Sequence, residues 1–241
     1  MFINILLPVY NEELRIKNGV DKTVAYLKSI DFSDYEITII DNASTDSTPT
    51  LAKELSAKYN SVKYLRLEEK GVGIAIKNGV LNNTCDYVGY MDIDLSTNIK
   101  HLKQVISLFK KNPNIDIING SRLNKKSNMQ GRKWYRNLTS HGLTLMLKIF
   151  LKLKASDSIC GFKFFKKEVI QSLIKETQHN NGWFYVIEIL LRAERKPLNI
   201  YELPVEWTDD YNTTVHVGKL IKNYTSNILK LRKTFKNENI L

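Results

Sequence analysis

Cysteine is scarce in this chain, since only Cys85 and Cys160 occur among its 241 residues. They form no CxxC pair and no cysteine–histidine cluster, so neither a disulfide framework nor a structural zinc site is predicted. Proline is also rare, with 5 residues, and there is no low-complexity stretch or internal repeat. One globular α/β unit with reduced thiols, as in the cytoplasm, is therefore expected.

Long hydrophobic runs are missing as well. No apolar segment reaches the length of about 18 residues at which a spanning helix is considered, and the N-terminus lacks the basic region and cleavage site of a signal peptide. Any membrane contact is therefore expected to be peripheral. Acidic residues are outnumbered, because 36 lysines and arginines against 25 aspartates and glutamates give a net charge of +11. Such a charge indicates an anionic partner, which could be nucleic acid, acidic lipid or a phosphorylated substrate.

Short β-branched segments alternate with longer amphipathic ones along the first part of the chain. The predicted strands are Asn4–Pro8, Tyr35–Asp41, Val62–Leu67 and Tyr87–Met91, and the predicted helices are Val20–Ser29, Pro49–Tyr59 and Val72–Asn82. Pro49 behind Thr48 predicts a helix start capped by the threonine hydroxyl. The alternation predicts a largely parallel, doubly wound sheet, which binds ligands beyond the carboxyl ends of its strands.

The second part of the chain is less regular. We predict helices at Ile99–Lys111, Lys167–Thr177 and Trp183–Ala193, strands at Ile115–Gly120, Cys160–Phe165 and Leu198–Val205, and a basic loop from Arg122 to Arg136. Histidines are scattered at positions 101, 141, 179 and 216, and none is a predicted catalytic residue. No histidine-based chemistry is therefore expected.

Acidic residues cluster directly after three of the predicted strands. Glu12 follows the first strand, Asp41 and Asp46 bracket the loop after the second, and Asp92 and Asp94 follow Met91. Carboxylates gathered at one sheet edge repel one another unless a cation offsets them. The sequence therefore predicts that Asp92 and Asp94 bind Mg²⁺ or Mn²⁺, which would neutralise a diphosphate leaving group.

A glycine turn at Lys70-Gly71-Val72-Gly73 precedes a predicted helix. It matches neither the dinucleotide-binding GxGxxG pattern nor a GK[ST] phosphate loop. Lys70 and the free N–H groups of a helix start could still face a phosphate. A tight structural turn is the alternative.

Six blocks in this order resemble glycosyltransferase family 2, in the branch of dolichyl-phosphate and polyprenyl-phosphate sugar synthases. They are Pro8–Glu12, Asp41–Asp46, Lys70–Gly73, Tyr90–Ser96, Gly120–Arg122 and Asp157–Lys163. The resemblance runs from residue 3 to about residue 217. It implies a GT-A fold, with a Rossmann-like, mostly parallel central sheet flanked by helices, at residues 1–214. The helical spacing of apolar residues separately predicts a basic amphipathic C-terminal helix and tail at residues 215–241.

The same resemblance implies an inverting transfer of a hexose from a nucleoside-diphosphate sugar, of the GDP-mannose or UDP-glucose type, to a polyprenyl or dolichyl phosphate. The residues implied for the donor are Pro8, Tyr10, Glu12, Asp41, Asn42, Lys70, Gly71 and Asp92. Those implied for catalysis are Asp94, Asp157 and Arg122, and those implied for the acceptor are Arg132, Arg136, Ser140 and Lys163.

Two segments could contact a membrane. Leu143–Lys154, within the apolar-basic stretch Leu138–Lys154, is apolar on most faces except for its lysines, and Val215–Phe235 is basic and amphipathic. Each either packs on the domain or lies on anionic lipid at the cytoplasmic face. A membrane protein or a second copy of the chain is a further candidate partner.

Three other functions are compatible with the sequence. A family 2 enzyme acting on a sugar hydroxyl would need a carboxylate base. A nucleotidyltransferase would use the same acidic crevice, and a non-catalytic nucleic-acid-binding protein would explain the charge. No nucleic-acid partner is expected, because the basic and aromatic residues follow no known reader pattern.

Overall fold

The computed structural model describes residues 1–132, 134–178, 182–209 and 217–241, and of residues 217–222 it describes the backbone alone. The predictions that involve His179, Val215 and His216 lie outside the described residues. So does the predicted boundary between residues 214 and 215.

Strands and helices alternate over the described ranges as the sequence predicts. The strands are β1 (Ile3–Val9), β2 (Tyr35–Asn42), β3 (Val62–Leu67), β4 (Tyr87–Met91), β5 (Ile117–Ser121), β6 (Asn128–Gln130), β7 (Phe162–Lys166), β8 (Ile200–Pro204) and β9 (Glu206–Thr208). The helices are α1 (Ile16–Ser29), α2 (Thr48–Lys58), α3 (Val72–Leu81), α4 (His101–Lys111), α5 (Trp134–Leu151), α6 (Lys167–Glu176), α7 (Phe184–Ala193) and α8 (Val217–Asn237).

The main sheet has the strand order β3-β2-β1-β4-β7-β5-β8 in the part of the chain that the structure describes. Its neighbours are parallel except at β7, which is antiparallel to both β4 and β5. The mostly parallel sheet is therefore confirmed. Because β7 runs the other way, the loop that precedes it lies at the carboxyl ends of β4 and β5.

Helices cover both faces of this sheet. On β1, Ile5 and Leu7 pack with α1 and α4 in one core, whereas Leu6 packs with α3 in a second core on the other face. Burial on both sides explains why the strands are continuous apolar runs instead of alternating ones. The carboxyl edge is left to polar loops.

The C-terminal helix packs on the domain. Tyr224, Ile228, Leu231 and Phe235 of α8 are buried against α5 and α7, so the described part of its apolar face is not available to lipid. Within the ranges that the structure covers, no helix is both long and apolar enough to cross a bilayer.

The stretch from Arg122 to Arg136 is more ordered than the predicted loop. It contains β6, which pairs with β9, and α5 begins at Trp134. The prediction of a simple loop was therefore wrong. Strand β6 is only three residues long, too short for a periodic pattern to identify.

Candidate functional site

The loops after β1 and β2 are joined by hydrogen bonds. The Ser44 hydroxyl accepts from the N–H of Asn11 at 3.0 Å, and the Thr48 hydroxyl accepts from the N–H of Glu12 at 2.8 Å. Helix α2 begins at Thr48 with Ser47 as its N-cap residue, and the N–H of Thr48 donates to Oδ1 of Asp46 at 2.9 Å, so the predicted threonine cap is wrong. The hydroxyl of Thr48 instead satisfies a donor of the neighbouring loop.

The backbone turns sharply at three strand ends. Asn11, Ala43 and Leu95, which follow β1, β2 and β4, have φ angles of 54°, 60° and 56°. Non-glycine residues seldom adopt this left-handed conformation. When they do, they are often found at active sites and ligand sites, where the surrounding structure holds them in place. The carboxyl edge is therefore the candidate active site.

The pair of carboxylates after β4 lies at this edge. Asp94 is exposed, and its Oδ1 accepts from the N–H of Ser96 at 2.8 Å. Asp92 lies against Gly161, where a Cβ would stand 2.0 Å from Oδ2 of the aspartate. Burial, together with the charge of Asp94, raises the pKa of Asp92 to about 7.

The two carboxylates suit a divalent cation. No group of three or more histidine, cysteine, aspartate or glutamate side chains that could hold a metal occurs among the described residues. Mg²⁺ is commonly bound by only one or two carboxylates together with substrate phosphates and water. Such a cation would offset the repulsion between Asp94 and Asp92, which helps to raise the pKa of Asp92.

The metal-free protein should lose stability as pH rises through the pKa of Asp92. With a folded-state pKa of about 7 and an ordinary value of about 4, the folded state binds the extra proton between these pH values. Asp92→Asn should therefore raise the free energy of unfolding at pH 8 by about 2 to 4 kcal/mol. At pH 4 it should bring no gain.

Urea unfolding in the presence of a chelator, at pH 4, 6 and 8, measures this effect. Asp31→Asn is the matched control, because Asp31 is exposed and already has a left-handed φ of 52° that asparagine tolerates. If the free energy of unfolding changed in the same way with pH for Asp92→Asn and the parent protein between pH 4 and 8, a raised pKa of Asp92 in the folded state would be refuted.

Asp41 is completely buried and already hydrogen-bonded. Its Oδ1 accepts from the N–H of Ser44 at 2.8 Å, and its Oδ2 accepts from the Tyr64 hydroxyl at 2.9 Å and from Nη1 of Arg66 at 2.6 Å. The donor-binding role that the resemblance implies for Asp41 stays a prediction. The carboxylate of Asp41 holds the exposed side chain of Arg66 at the carboxyl ends of β2 and β3. The adjacent Asn42 is also buried, and its Oδ1 has no hydrogen-bond partner within the described residues.

The loops after β1 and β3 meet at Tyr10. Nζ of Lys70 lies 3.5 Å from the centroid of the Tyr10 ring, and Pro8 lies two residues earlier in β1. Gly71 is the N-cap residue of α3, which confirms the predicted glycine turn at a helix start. Contact with phosphate stays a prediction for both Lys70 and Gly71. Glu12 belongs to the same edge, where its carboxylate is paired with Arg15.

Asp157 and Arg122 form a buried ion pair. Nε and Nη2 of Arg122 donate to the two oxygens of Asp157 at 2.7 and 3.0 Å, and the backbone N–H groups of Arg122, Ile159 and Cys160 donate as well. Although burial alone would raise it, Arg122 holds the pKa of Asp157 well below its usual range. Asp157 therefore favours its ionised form, and both of its oxygens are taken up in holding Arg122 and the loop after it.

Arg132 has a guanidinium group without a carboxylate partner among the described residues. It donates to the sulfur of Met129, the carbonyl of Arg136 and the hydroxyl of Ser140, and its buried Nε has no partner there. Burial and the charge of Arg122 lower the pKa of Arg132 to about 10. An anion beside it would relieve both effects.

Trp207 lies next to both arginines. Its ring centroid is 5.5 Å from Cζ of Arg122 and 5.3 Å from Cζ of Arg132. Arg136 is paired with Asp209, two residues further on. Trp207 of β9 and Asp209 just after it therefore contact the guanidinium groups of Arg122, Arg132 and Arg136.

Lys163 is only 1% exposed, and its Nζ donates to the carbonyl of Cys160 at 2.7 Å. Burial lowers the pKa of this lysine. It lies within the sheet between Tyr90 and Asn119, below the acceptor-facing position expected for it. The positive charge of this buried lysine acts to lower the pKa of Asp92.

Sequence reasoning missed several residues of this edge, namely Tyr64, Arg66, Gly161, Trp207 and Asp209. Asp209 follows the predicted strand Leu198–Val205 closely, so the rule that selects carboxylates after strands could have found it. No comparable pattern marks Trp207. Nε2 of His101 accepts from the N–H of Glu206 at 2.8 Å, which gives this histidine a structural role.

Comparison with known proteins finds the same family that the sequence motifs resemble. Residues 4–174 match the family model described as glycosyl transferase family 2. Over 95% of its length the chain is 29% identical to glycosyltransferase AglD of Haloferax volcanii, of which it spans only 36%. It is also 30% identical to a dolichyl-phosphate beta-glucosyltransferase of Dictyostelium discoideum, over 91% of this chain and 72% of that protein.

Among solved structures, glucosyl-3-phosphoglycerate synthase from Mycobacterium tuberculosis, in complex with Mn²⁺, uridine diphosphate and glucosyl-3-phosphoglycerate, has a TM-score of 0.71. The alignment covers 96% of this chain and 79% of that one at 16% identity. This likeness confirms the GT-A fold.

Proposed function

Because the chain belongs to glycosyl transferase family 2, we propose that it moves a glucosyl group from a nucleoside-diphosphate sugar to a polyprenyl phosphate. Of the two predicted sugars, glucose is favoured over mannose by the dolichyl-phosphate beta-glucosyltransferases among its relatives. Inversion of an α-linked nucleotide sugar would give the β product that those names state.

The observation that carries this proposal is the charge arrangement on the acceptor side. Arg132 forms no ion pair with a described carboxylate, although Asp157 and Asp209 lie near enough to act on its charge, and the carboxylate of Asp157 is already bound by Arg122. A hydroxyl acceptor would need a base. A phosphate, with a second pKa of about 6, is already ionised at neutral pH, so this arrangement fits a phosphate acceptor.

The proposed mechanism assigns separate tasks to the two sides of the edge. Tyr10, Lys70 and Arg66 would bind the nucleotide, while Asp92 and Asp94 would hold Mg²⁺ or Mn²⁺. When bound, the cation would offset the charge of the leaving diphosphate. Arg132 would hold the acceptor phosphate on the opposite side of the sugar, with Ser140 and Arg136 fixing its guanidinium group. Asp157 would keep Arg122 in place.

A donor and acceptor screen tests the function directly. The full chain is incubated with Mn²⁺, either UDP-glucose or GDP-mannose, and either a short polyprenyl phosphate or the matching polyprenol, and products are identified by mass. We expect glucosyl transfer to the phosphate alone. Equal transfer to the alcohol would contradict a phosphate acceptor, and diphosphate release from a nucleoside triphosphate would indicate a nucleotidyltransferase.

Arg132→Ala should raise KM for the polyprenyl phosphate with little change in KM for the nucleotide sugar. Loss of a charged hydrogen bond of about 1.5 to 3 kcal/mol corresponds to an increase of roughly 10- to 150-fold. Steady-state kinetics in detergent, with a short-chain acceptor, measures both constants.

Lys126→Ala is the matched control, because this lysine is exposed on the same basic segment and should leave both constants unchanged. An Arg132→Ala enzyme with a normal KM for the lipid phosphate would refute the assignment of Arg132. Localisation at the cytoplasmic face of a membrane belongs to the same proposal, since the acceptor is a lipid. A partner membrane protein or a second copy of the chain stays a prediction.

A further inference from the structure

A single loop, residues 156–161 between α5 and β7, touches both halves of the candidate site. Near its start, Asp157 binds the guanidinium group of Arg122 through hydrogen bonds of 2.7 and 3.0 Å. At its end, the carbonyl of Gly161 accepts from the N–H of Asp92 at 3.2 Å. The position of this loop therefore sets the distance between the carboxylate pair after β4 and the buried ion pair.

A row of polar side chains crosses the sheet next to this loop. Lys163 of β7, Asn119 of β5 and Glu202 of β8 are direct neighbours in register, so their side chains point to the same face of the sheet. Lys163 and Asn119 are at most 1% exposed. Burying polar groups costs free energy unless they are hydrogen-bonded, and apolar side chains often stabilise such positions at least as well. The bonds that the row makes therefore indicate its task.

Each member of the row binds the loop. Nζ of Lys163 and Nδ2 of Asn119 donate to loop carbonyls at 2.7 and 2.9 Å. Oε1 of Glu202 accepts from the N–H of Ser156 at 2.7 Å and from the hydroxyl of the same serine at 3.1 Å. The same oxygen lies 3.5 Å from Nδ2 of Asn119. The loop is therefore held from the sheet along its length, and Glu202 holds the residue at which it starts.

From these contacts we propose that Glu202 is a positioning residue for the transfer. By holding Ser156 from β8, it fixes the next residue, Asp157, and through Asp157 the guanidinium group of Arg122. This inference rests on the proposed function and adds to it a residue that lies beyond the segment 4–174 that matches the family model. Glu202 acts through the loop and not on the reacting atoms.

A second glutamate binds the chain just before the loop. Glu194, which follows α7, accepts from the N–H groups of Lys154 and Ala155 at 2.9 and 2.7 Å. This part of the chain is also tied to α5, because the N–H of Leu153 donates to the carbonyl of Leu147 at 3.3 Å. Loss of Glu194 should therefore leave the loop in place. It removes two hydrogen bonds from the same stretch, which makes Glu194→Ala the matched control.

Glu202→Ala should lower kcat by about 10- to 100-fold, the effect expected when a reacting group is misplaced by about 1 Å. KM for the nucleotide sugar should stay near that of the parent, since Glu202 lies away from the loops after β1, β2 and β3. Glu202→Gln keeps an acceptor oxygen and should retain most of the turnover. Glu194→Ala should lose a similar free energy of unfolding in urea and keep the parent's kcat. Kinetics in detergent with a short-chain polyprenyl phosphate, at a temperature where circular dichroism shows every variant folded, measures these effects.

A second readout needs no substrate. The Nε–H of Arg122 donates to Asp157 at 2.7 Å, and its exchange with water can be followed by ¹⁵N NMR. It should exchange about tenfold faster or more in Glu202→Ala, because the loop that carries Asp157 opens more often. Glu194→Ala should exchange at the parent's rate.

Parent-like exchange and turnover in Glu202→Ala would overturn the proposal, and so would an equal loss of turnover in Glu202→Ala and Glu194→Ala. If Glu202→Ala does not fold, Ser156→Ala removes the 3.1 Å bond alone and replaces it in both measurements, with a smaller expected effect and the same overturning result.

The positioning role and the proposed function can fail separately. If the parent chain transfers no glucosyl group, the proposed function is refuted, while faster exchange in Glu202→Ala still supports the hold of Glu202 on Arg122. If the parent transfers glucose and Glu202→Ala does so at the same rate, the function stands and the positioning role is refuted.

Discussion

Replacing Asp94 with asparagine should lower kcat/KM for transfer from the nucleotide sugar by a factor of about 1,000 or more. The substitution keeps the shape of the side chain and removes one of the two charges that would hold the cation. A cation at a leaving diphosphate contributes several kcal/mol to the transition state, and about 4 kcal/mol corresponds to a factor of about 1,000. Because Asp94 is exposed, the fold should not change.

A second measurement separates the loss of the cation from an indirect effect. Calorimetric titration of Mn²⁺ in the presence of UDP should show strong binding to the parent protein and none to Asp94→Asn, whereas heat unfolding without metal should be the same for both. Asp31→Asn again serves as the control. Turnover within a few fold of the parent, even at low Mn²⁺, would refute the metal role of Asp94.

The second large effect concerns the buried pair of Asp157 and Arg122. Asp157→Asn should lower the free energy of unfolding by about 3 to 5 kcal/mol, because it leaves the guanidinium group buried without its counter-charge. Transfer activity should also fall to background, since Arg122 loses the two hydrogen bonds that fix it beside Trp207. Urea unfolding and a product assay measure the two losses.

The double variant R122Q/D157N distinguishes stability from function. Because both charges are absent, most of the lost stability should return, but the activity should not. Asp116→Asn is the control for breaking an ion pair, since Asp116 binds Lys166 at 2.8 Å at the amino-terminal end of β5, away from the candidate site. Full activity in the double variant would show that Arg122 has no role in the transfer.

Much of this fold is readable from the sequence because the first half obeys simple local rules. Strands β3 and β4 have the predicted bounds, and α3 and α6 end one residue before the predicted ends. The rule that places ligands at carboxyl ends also brings Asp92, Asp94, Lys70 and Tyr10 to one edge. These predictions succeed because each depends on a periodic pattern or on the direction of a parallel strand.

The remaining features depend on contacts between distant parts of the chain. No local sequence pattern shows that β7 is antiparallel to its neighbours or that β6 pairs with β9. The burial of Lys163 follows from its place in a central strand, where a surface position is the ordinary expectation for lysine. For α8 the sequence offers the same amphipathic pattern for packing on protein or on lipid, and only the contacts of Tyr224 and Phe235 decide.

The antiparallel strand also divides the chain by task. Every residue proposed for the donor lies between Pro8 and Asp94, and the arginines, Ser140 and Asp157 of the proposed acceptor side lie between residues 122 and 157. Strands β5 and β7, which flank this second stretch, are neighbours in the sheet. Most of the proposed acceptor side is thus one segment that leaves and re-enters the sheet at adjacent strands, and Trp207 and Asp209 support its arginines from elsewhere in the chain. Relatives could exchange it as one unbroken segment and change the molecule that receives the sugar while keeping the nucleotide that delivers it.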